Sequence, residues 1–349
     1  MQEKKQHWWT SDYSLKEKVA FFRDRVCLPS NYTKTLPSIA ETHRKQLKNT
    51  VSDKKIKMVF LGDILNINGW DLEVDDNIKN SISNADIMVY NQEGVITEKR
   101  RILAVAHDHD ILEKIKSLAP HAKILANVAN NHSGDFGLES FLQSNEQTEN
   151  FGFNIFGSAE KPFIDVDQFR FFGCTQWSNQ AFDEIINFRL TDEVEKFDRY
   201  RSSEKYNIFL PHWGYEMQLM PTKQQCDFTD RLIGWDLVVG NHSHSPQPVV
   251  YNSDKQPELI AYSLGNFAFV HYNPNHFYGA ILVLEFDVSS SKPVLLSSDY
   301  MLTIMDYIHS EKKRTIKINP IDQLNYAKLR RKIMLRPSYL SFFFKHFSL

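Results

Sequence analysis

The chain has 349 residues, 42% of them hydrophobic, with 41 Lys and Arg against 43 Asp and Glu for a formal charge of −2. That length and apolar content suit one large domain with appendages or two modest ones, and exclude a disordered chain. The near-neutral balance excludes a chain-wide electrostatic footprint for nucleic acid, so no nucleic-acid partner is expected.

Residues 1–54 are polar and charged, with one stretch of helical spacing, SLKEKVAFFRDRVCL, at 14–28. They read as a helical N-terminal extension packed on the core, with Trp8 and Trp9 in that packing. No apolar signal-peptide region opens the chain, and no apolar run reaches the ~18 residues of a membrane span, so the expected location is cytoplasmic.

From 55 to 306 the texture changes to short apolar runs, each closed by polar residues: IKMVFLGD, ADIMVYNQEG, AKILANVANNH, YNIFLPHWG, WDLVVGNHSH and ELIAYSLGNF. These are predicted buried strands. Helical patterns at 110–118 and 138–151 lie between some of them, which predicts an α/β layered domain with parallel pairings and a site beyond the carboxyl ends of the strands. The runs GAILVLEFDV and KPVLLSSDYMLTIM have no helix between them and predict a hairpin, making two sheets the expected arrangement.

Residues 307–349 read as a basic aromatic tail, with six Lys or Arg and no acidic residue beyond Asp322. Such a tail suits peripheral contact with an anionic membrane surface or a partner protein; packing on the core is its simpler reading. The three cysteines, Cys27, Cys174 and Cys226, form no CxxC pair and read as reduced thiols. HDHD at 107–110 precedes a helix and reads as an Asp108 or Asp110 cap with solvated histidines. HYNPNHFYG at 271–279 reads as a surface loop; the alternative is substrate contact by His271 or His276.

The strand ends carry the chemistry. They present Asp63, then Asn91 and Glu93, Asn131 and His132, His212, His242 and His244, and Asn266. One polar residue after a strand is an ordinary turn former; a whole series of carboxylates, amides and imidazoles is not, because His and Glu are poor turn residues. Together these donors suit a borderline divalent ion such as Mn, Fe or Zn. Glu93 is the candidate bridge between two ions, which in such hydrolases stand about 3.5–4 Å apart. In an extended segment His242 and His244, at i and i+2, face one side and reach one cluster. Asn131 and His132 are neighbours and point differently, which suits a ligand beside a general acid.

The motifs FLGD (60–63), NQEG (91–94), NNHSGDFG (130–137), HWGYE (212–216), GNHSHSPQ (240–247) and SLGNFAF (263–269) resemble, in order and spacing, the CapA-like poly-gamma-glutamate capsule synthesis proteins. These are a branch of the calcineurin-like metallophosphoesterases. The resemblance spans roughly residues 56–305. It implies a four-layer α/β/β/α sandwich of the metallo-dependent phosphatase type, with one or two divalent ions at the strand C-terminal ends. By the same resemblance Asp63 and His244 belong to metal site 1, Asn131, His212 and His242 to site 2, and Glu93 to both. His132 and Asp135 take catalytic positions, and Asn91, Glu216, Asn266 and His271 line the pocket or support the ligands. Site 1 is ligand-poor, since Ile64 and Leu65 follow Asp63 where the wider superfamily has Asp-x-His, and Ser243 replaces the usual proline between the paired histidines.

The implied function is a metal-dependent hydrolase of phosphoesterase type, with a metal-bound hydroxide and His132 as general acid. It would be linked to capsule polyglutamate or another anionic polymer, alongside polymer-synthesis protein partners. Two other functions suit the same residues: an accessory polymer-binding component of a synthesis assembly, and a glutamyl amide hydrolase or transferase.

Overall fold

The computed structural model describes residues 39–49, 54–180, 183–190, 194–253, 255–271, 274–311 and 313–325. The 14–28 segment, Trp8, Trp9, Cys27 and the tail beyond residue 325 lie outside the described residues. Eleven strands frame the site: β1 (Lys55–Ile64), β2 (Ile87–Gln92), β3 (Lys123–Asn127), β4 (Phe169–Thr175), β5 (Tyr206–His212), β6 (Leu237–Val239), β7 (Leu259–Ala261), β8 (Asn266–Ala268), β9 (Tyr278–Asp287), β10 (Val294–His309) and β11 (Arg314–Ile321).

They form two sheets. In the larger, the order is Asp71–Val74, β11, β10, β9, β1, β2, β3 and Asn154–Phe156, with β8 also pairing β1 and His43–Gln46 pairing β10. β1, β2 and β3 run parallel, while β9 and β10 make the expected antiparallel hairpin. In the smaller sheet β4, β5, β6 and β7 are parallel, flanked by antiparallel edges Phe163–Val166 and Val249–Tyr251. Residues 39–46 and 314–325, which the sequence reading assigned to the extension and the tail, include strands of these and of a small separate ladder, Ile39–Glu41 with Gln323–Asn325.

The layering follows from strands apolar on both faces, since alternate side chains point to opposite sides. In β1, Met58 and Phe60 pack with Phe171, Ile208 and Leu237 of the smaller sheet, so this cluster fills the space between the sheets. Val59 and Leu61, one residue out of phase, pack instead with Ile78, Ile115 and Phe141 of three helices, α1 (Asp76–Ile82), α2 (Ile111–Leu118) and α3 (Gly137–Asn150). On the far side of the smaller sheet, Phe172, Phe209 and Val238 pack with Trp235 and with Phe228 of α4 (Lys223–Thr229). The result is the expected four-layer α/β/β/α sandwich. Among the described residues no helix is long and apolar enough to cross a membrane.

Some local expectations are corrected. Of the HDHD residues, His109 is exposed but His107 is fully buried, with Nε2 3.0 Å from the Glu93 carbonyl oxygen, because the short strand Ala106–His107 turns it inward. Asp110 occupies the cap position of α2 without a side-chain capping bond; its carboxylate pairs with Lys114. Cys174 and Cys226 are free thiols, the first buried.

Candidate metal centre

Asp63 lies in register between Asn91 of β2 and Asn266 of β8. It is fully buried, and its carboxylate accepts hydrogen bonds from Asn91 Nδ2 (2.7 Å) and from the backbone N–H of His242 (3.1 Å). The chain reaches this point through a close crossing: the Asp63 N–H donates to the Gly265 carbonyl oxygen, and a Cβ on Gly62 would stand 2.0 Å from that oxygen. Only glycine fits there. Glu93 follows β2 directly and is also fully buried, yet neither carboxylate oxygen has a hydrogen-bond partner among the described residues.

Beyond β3 the chain turns tightly. Asn130 Oδ1 accepts the His132 N–H (3.1 Å) and Asn130 Nδ2 donates to the Gln92 carbonyl oxygen (2.8 Å), which ties the turn to the end of β2. Asn131 Oδ1 is thereby placed 2.8 Å from Nε2 of His212, the last residue of β5. His242 Nδ1 stands 3.0 Å from the same His212 nitrogen. Metal–nitrogen bonds of about 2.1 Å put neighbouring donors of one ion about 3 Å apart, so these spacings suit a shared ion.

Two donor groups result. Atoms of Glu93, His212 and His242 lie within 4.8 Å of one another, and so do atoms of Asp63, Glu93 and His244; Glu93 is common to both. His244 Nδ1 faces Asn266 Oδ1 at 2.9 Å, which turns Nε2 toward Glu93 Oε1, 3.7 Å away. The paired histidines do not reach their positions by strand alternation. His242 and His244 have φ of 92° and 51°, so the segment is a strained left-handed turn and not an extended one. Their rings diverge, 6.1 Å apart between centroids, one toward each donor group.

The electrostatics fit cations. Burial, with Asp63 and Glu216 nearby, pushes the Glu93 carboxyl well above its ordinary range despite the opposing pull of His244. Burial would lower His244, but the Glu93 and Asp63 carboxylates outweigh it and raise the imidazole. Burial and neighbouring imidazoles hold His212 and His242 well below their ordinary value, so they are neutral, the form that binds metal. A buried carboxylate with no hydrogen-bond partner among the described residues, set among carboxylate, imidazole and amide donors, is what bound divalent cations would satisfy.

His132 stands beside the donor groups. Its Nδ1 stands 2.6 Å from Asp135 Oδ2, which also accepts the Val105 N–H at 2.8 Å, and its Nε2 faces Glu93 Oε1 at 3.9 Å. Burial lowers its pKa, but Asp135, with Glu93 and Glu216, outweighs that and raises it overall. Glu216, half-buried, acts on Glu93, His132 and His244 through its charge. His271 stands off the donor groups, stacked on Phe269 at 5.0 Å. His276, expected on a surface loop, is instead buried, 5.2 Å from the His244 ring, because the Pro274–Phe277 turn folds it under Phe269.

Residues 57–169 and 173–271 match the family described as bacterial capsule synthesis protein PGA_cap. The chain belongs to this family. Similarity to solved structures includes the crystal structure of the calcineurin-like phosphoesterase YfkN from Bacillus subtilis, at 11% identity, covering 71% of this chain and 90% of that one, with a TM-score of 0.39. No curated protein matches the chain.

One contributor to this PGA_cap site escaped the sequence reading. Asn179, four residues past β4, donates its backbone N–H to the Asn131 carbonyl oxygen (2.9 Å), accepts from Asn131 Nδ2 at Oδ1 (3.4 Å), and sets its own Nδ2 3.2 Å from His132 Nδ1. The signal was present: FRFFGCTQWSN is another apolar run closed by polar residues, like the six singled out.

Proposed function

We propose that this capsule-synthesis-family chain is a hydrolase that works with two divalent cations, of Mn, Fe or Zn type, and cleaves phosphoesters in the metabolism of an anionic polymer. The carrying observation is Glu93, whose two buried oxygens have no hydrogen-bond partner among the described residues and which belongs to both donor groups. Asp63, Glu93 and His244 would hold one ion; Glu93, His212, His242 and Asn131 the other.

Such ions, when bound, lower the pKa of water and offset negative charge on a phosphoryl group. The protein's own part is to hold and deliver a proton. His132 carries it at Nε2, on the side of the ring that faces the donor cluster, for a leaving-group oxygen. Asp135 accepts Nδ1–H and fixes the ring. With His212 and His242 neutral, Asp63 and Glu93 would supply the negative charge that offsets bound dications.

The test is hydrolysis of p-nitrophenyl phosphate and bis-p-nitrophenyl phosphate by chain reconstituted with manganese, beside a glutamyl amide panel. The expected result is nitrophenol release that a chelator abolishes. Two bound ions with turnover only of the amides would move the chemistry to carbonyl carbon; two bound ions and no turnover at all would leave a polymer-binding role.

A further inference from the structure

We propose that Asn179 locks the side-chain amide of Asn131 with its oxygen inward, and so makes Asn131 a metal donor. The inference rests on the two-ion reading above and concerns how the ion at His212 and His242 gets its amide ligand. An asparagine amide has one end that offers lone pairs and one that offers only N–H groups, so turned by 180° it cannot bind a cation. Orientation therefore decides whether Asn131 is a ligand.

The structure supplies the device that sets it. Asn131 Oδ1 faces His212 Nε2 at 2.8 Å while its Nδ2 is taken by Asn179 Oδ1. Asn179 is held in turn. Its backbone N–H bonds the Asn131 carbonyl oxygen, and the segment before it is pinned to the loop after β5, where Trp177 Nε1 donates to the Gly214 carbonyl oxygen (2.5 Å) and Gln176 Oε1 accepts the Gly214 N–H (2.9 Å). The other end of its amide lies against His132 Nδ1, so one residue of the β4 loop touches both the amide ligand and the proposed acid. Partners that orient metal ligands typically change affinity by about 10–100-fold when removed.

The experiment is manganese binding, by calorimetric titration and by the coupled-ion EPR signal, in a double-mutant cycle of Asn179→Ala and Asn131→Asp. An aspartate offers oxygen whichever way it turns and needs no such lock. Asn179→Ala alone should weaken one of the two ions by about 10–100-fold and leave the other unchanged. In the Asn131→Asp background the same change should alter affinity less than about twofold, the mark of lost coupling. An Asn179→Ala penalty of equal size in both backgrounds, or none in either, overturns the proposal. Should Asn179→Ala fail to fold, Asn179→Asp, which keeps an acceptor for Asn131 Nδ2, must bind both ions as the wild type does; weakened binding there overturns it too. A wild-type chain that binds fewer than two ions overturns the two-ion reading itself and this inference with it, whereas two tight ions with no effect at Asn179 overturn this inference alone.

Discussion

His132 Nδ1 and Asp135 Oδ2 stand 2.6 Å apart, on the side of the imidazole away from the donor cluster. The carboxylate both orients the ring and raises the pKa of the imidazole. Asp135→Asn keeps an oxygen for the ring but removes the charge. Turnover should fall about 10–100-fold with two ions still bound, and the alkaline limb of the rate profile should move to lower pH, because the proton on His132 is held less tightly. An unchanged limb would remove His132 as the proton donor.

Glu93→Gln should abolish the coupled pair and reduce metal stoichiometry to at most one. Its effect on the metal-free chain should be the reverse. A carboxyl raised in the folded state gives stability that is present below its unfolded pKa and lost as pH rises through the folded value, so the chelated wild type should weaken from mildly acid to mildly alkaline pH. At pH 8 the glutamine variant in chelator should be more stable by about 2 kcal/mol, because a buried charge without a hydrogen-bond partner costs more than a buried neutral amide. Urea unfolding with and without chelator measures both effects; a variant no more stable than wild type in chelator would contradict the burial argument.

Much of this site was legible because its candidate donors close or closely follow strands: apolar runs leading to Asp63, Glu93, His212 and His242 advertise both the sheet and the chemistry at its edge. What stayed hidden depends on backbone turns and on contacts between loops. Nothing local marks His242 and His244 for left-handed φ; the turn is imposed by the bonds that converge there, including the His242 N–H to Asp63. Asn179 looks like any polar loop residue until the β4 and β3 loops meet. His107 reads as solvated in a run of charges, and only the pairing of Val95–Ile96 with Ala106–His107 buries it.

That burial has its own consequence. His107 is fully enclosed, Nε2 meets the Glu93 carbonyl oxygen, and Nδ1 has no hydrogen-bond partner among the described residues, so protonation would create a buried donor with no acceptor there. Burial lowers its pKa to about 4 from 6.5. A depressed folded pKa gives stability present above the unfolded value and lost as pH falls toward the folded one. At pH 5 the loss should be about 2 kcal/mol relative to pH 7.5. His107→Gln keeps a donor for Glu93 and does not titrate, so the difference in urea midpoint between the two chains, both in chelator, should shrink or reverse between pH 7.5 and 5. Parallel slopes for the two chains would show that His107 takes up its proton equally in the folded and unfolded chain, so that burial does not depress it.

Gly265 tests the backbone crossing on which the Asp63 group stands. Its φ is +66°, and a Cβ there would lie 2.7 Å from the Pro246 nitrogen and 2.8 Å from the Ser245 carbonyl carbon. Both neighbours are backbone of the loop that carries His244, and the Gly265 carbonyl oxygen accepts the Asp63 N–H. Gly265→Ala should therefore cost about 1–3 kcal/mol in stability, the range for a residue held in unfavourable backbone geometry. It should also move His244 and Asp63 apart while leaving His212, on its own strand, in place. Metal content after gel filtration should fall from two ions to one, the survivor held by Glu93, His212 and His242. Retention of both ions with wild-type affinity would mean that the crossing does not position the Asp63 and His244 pair.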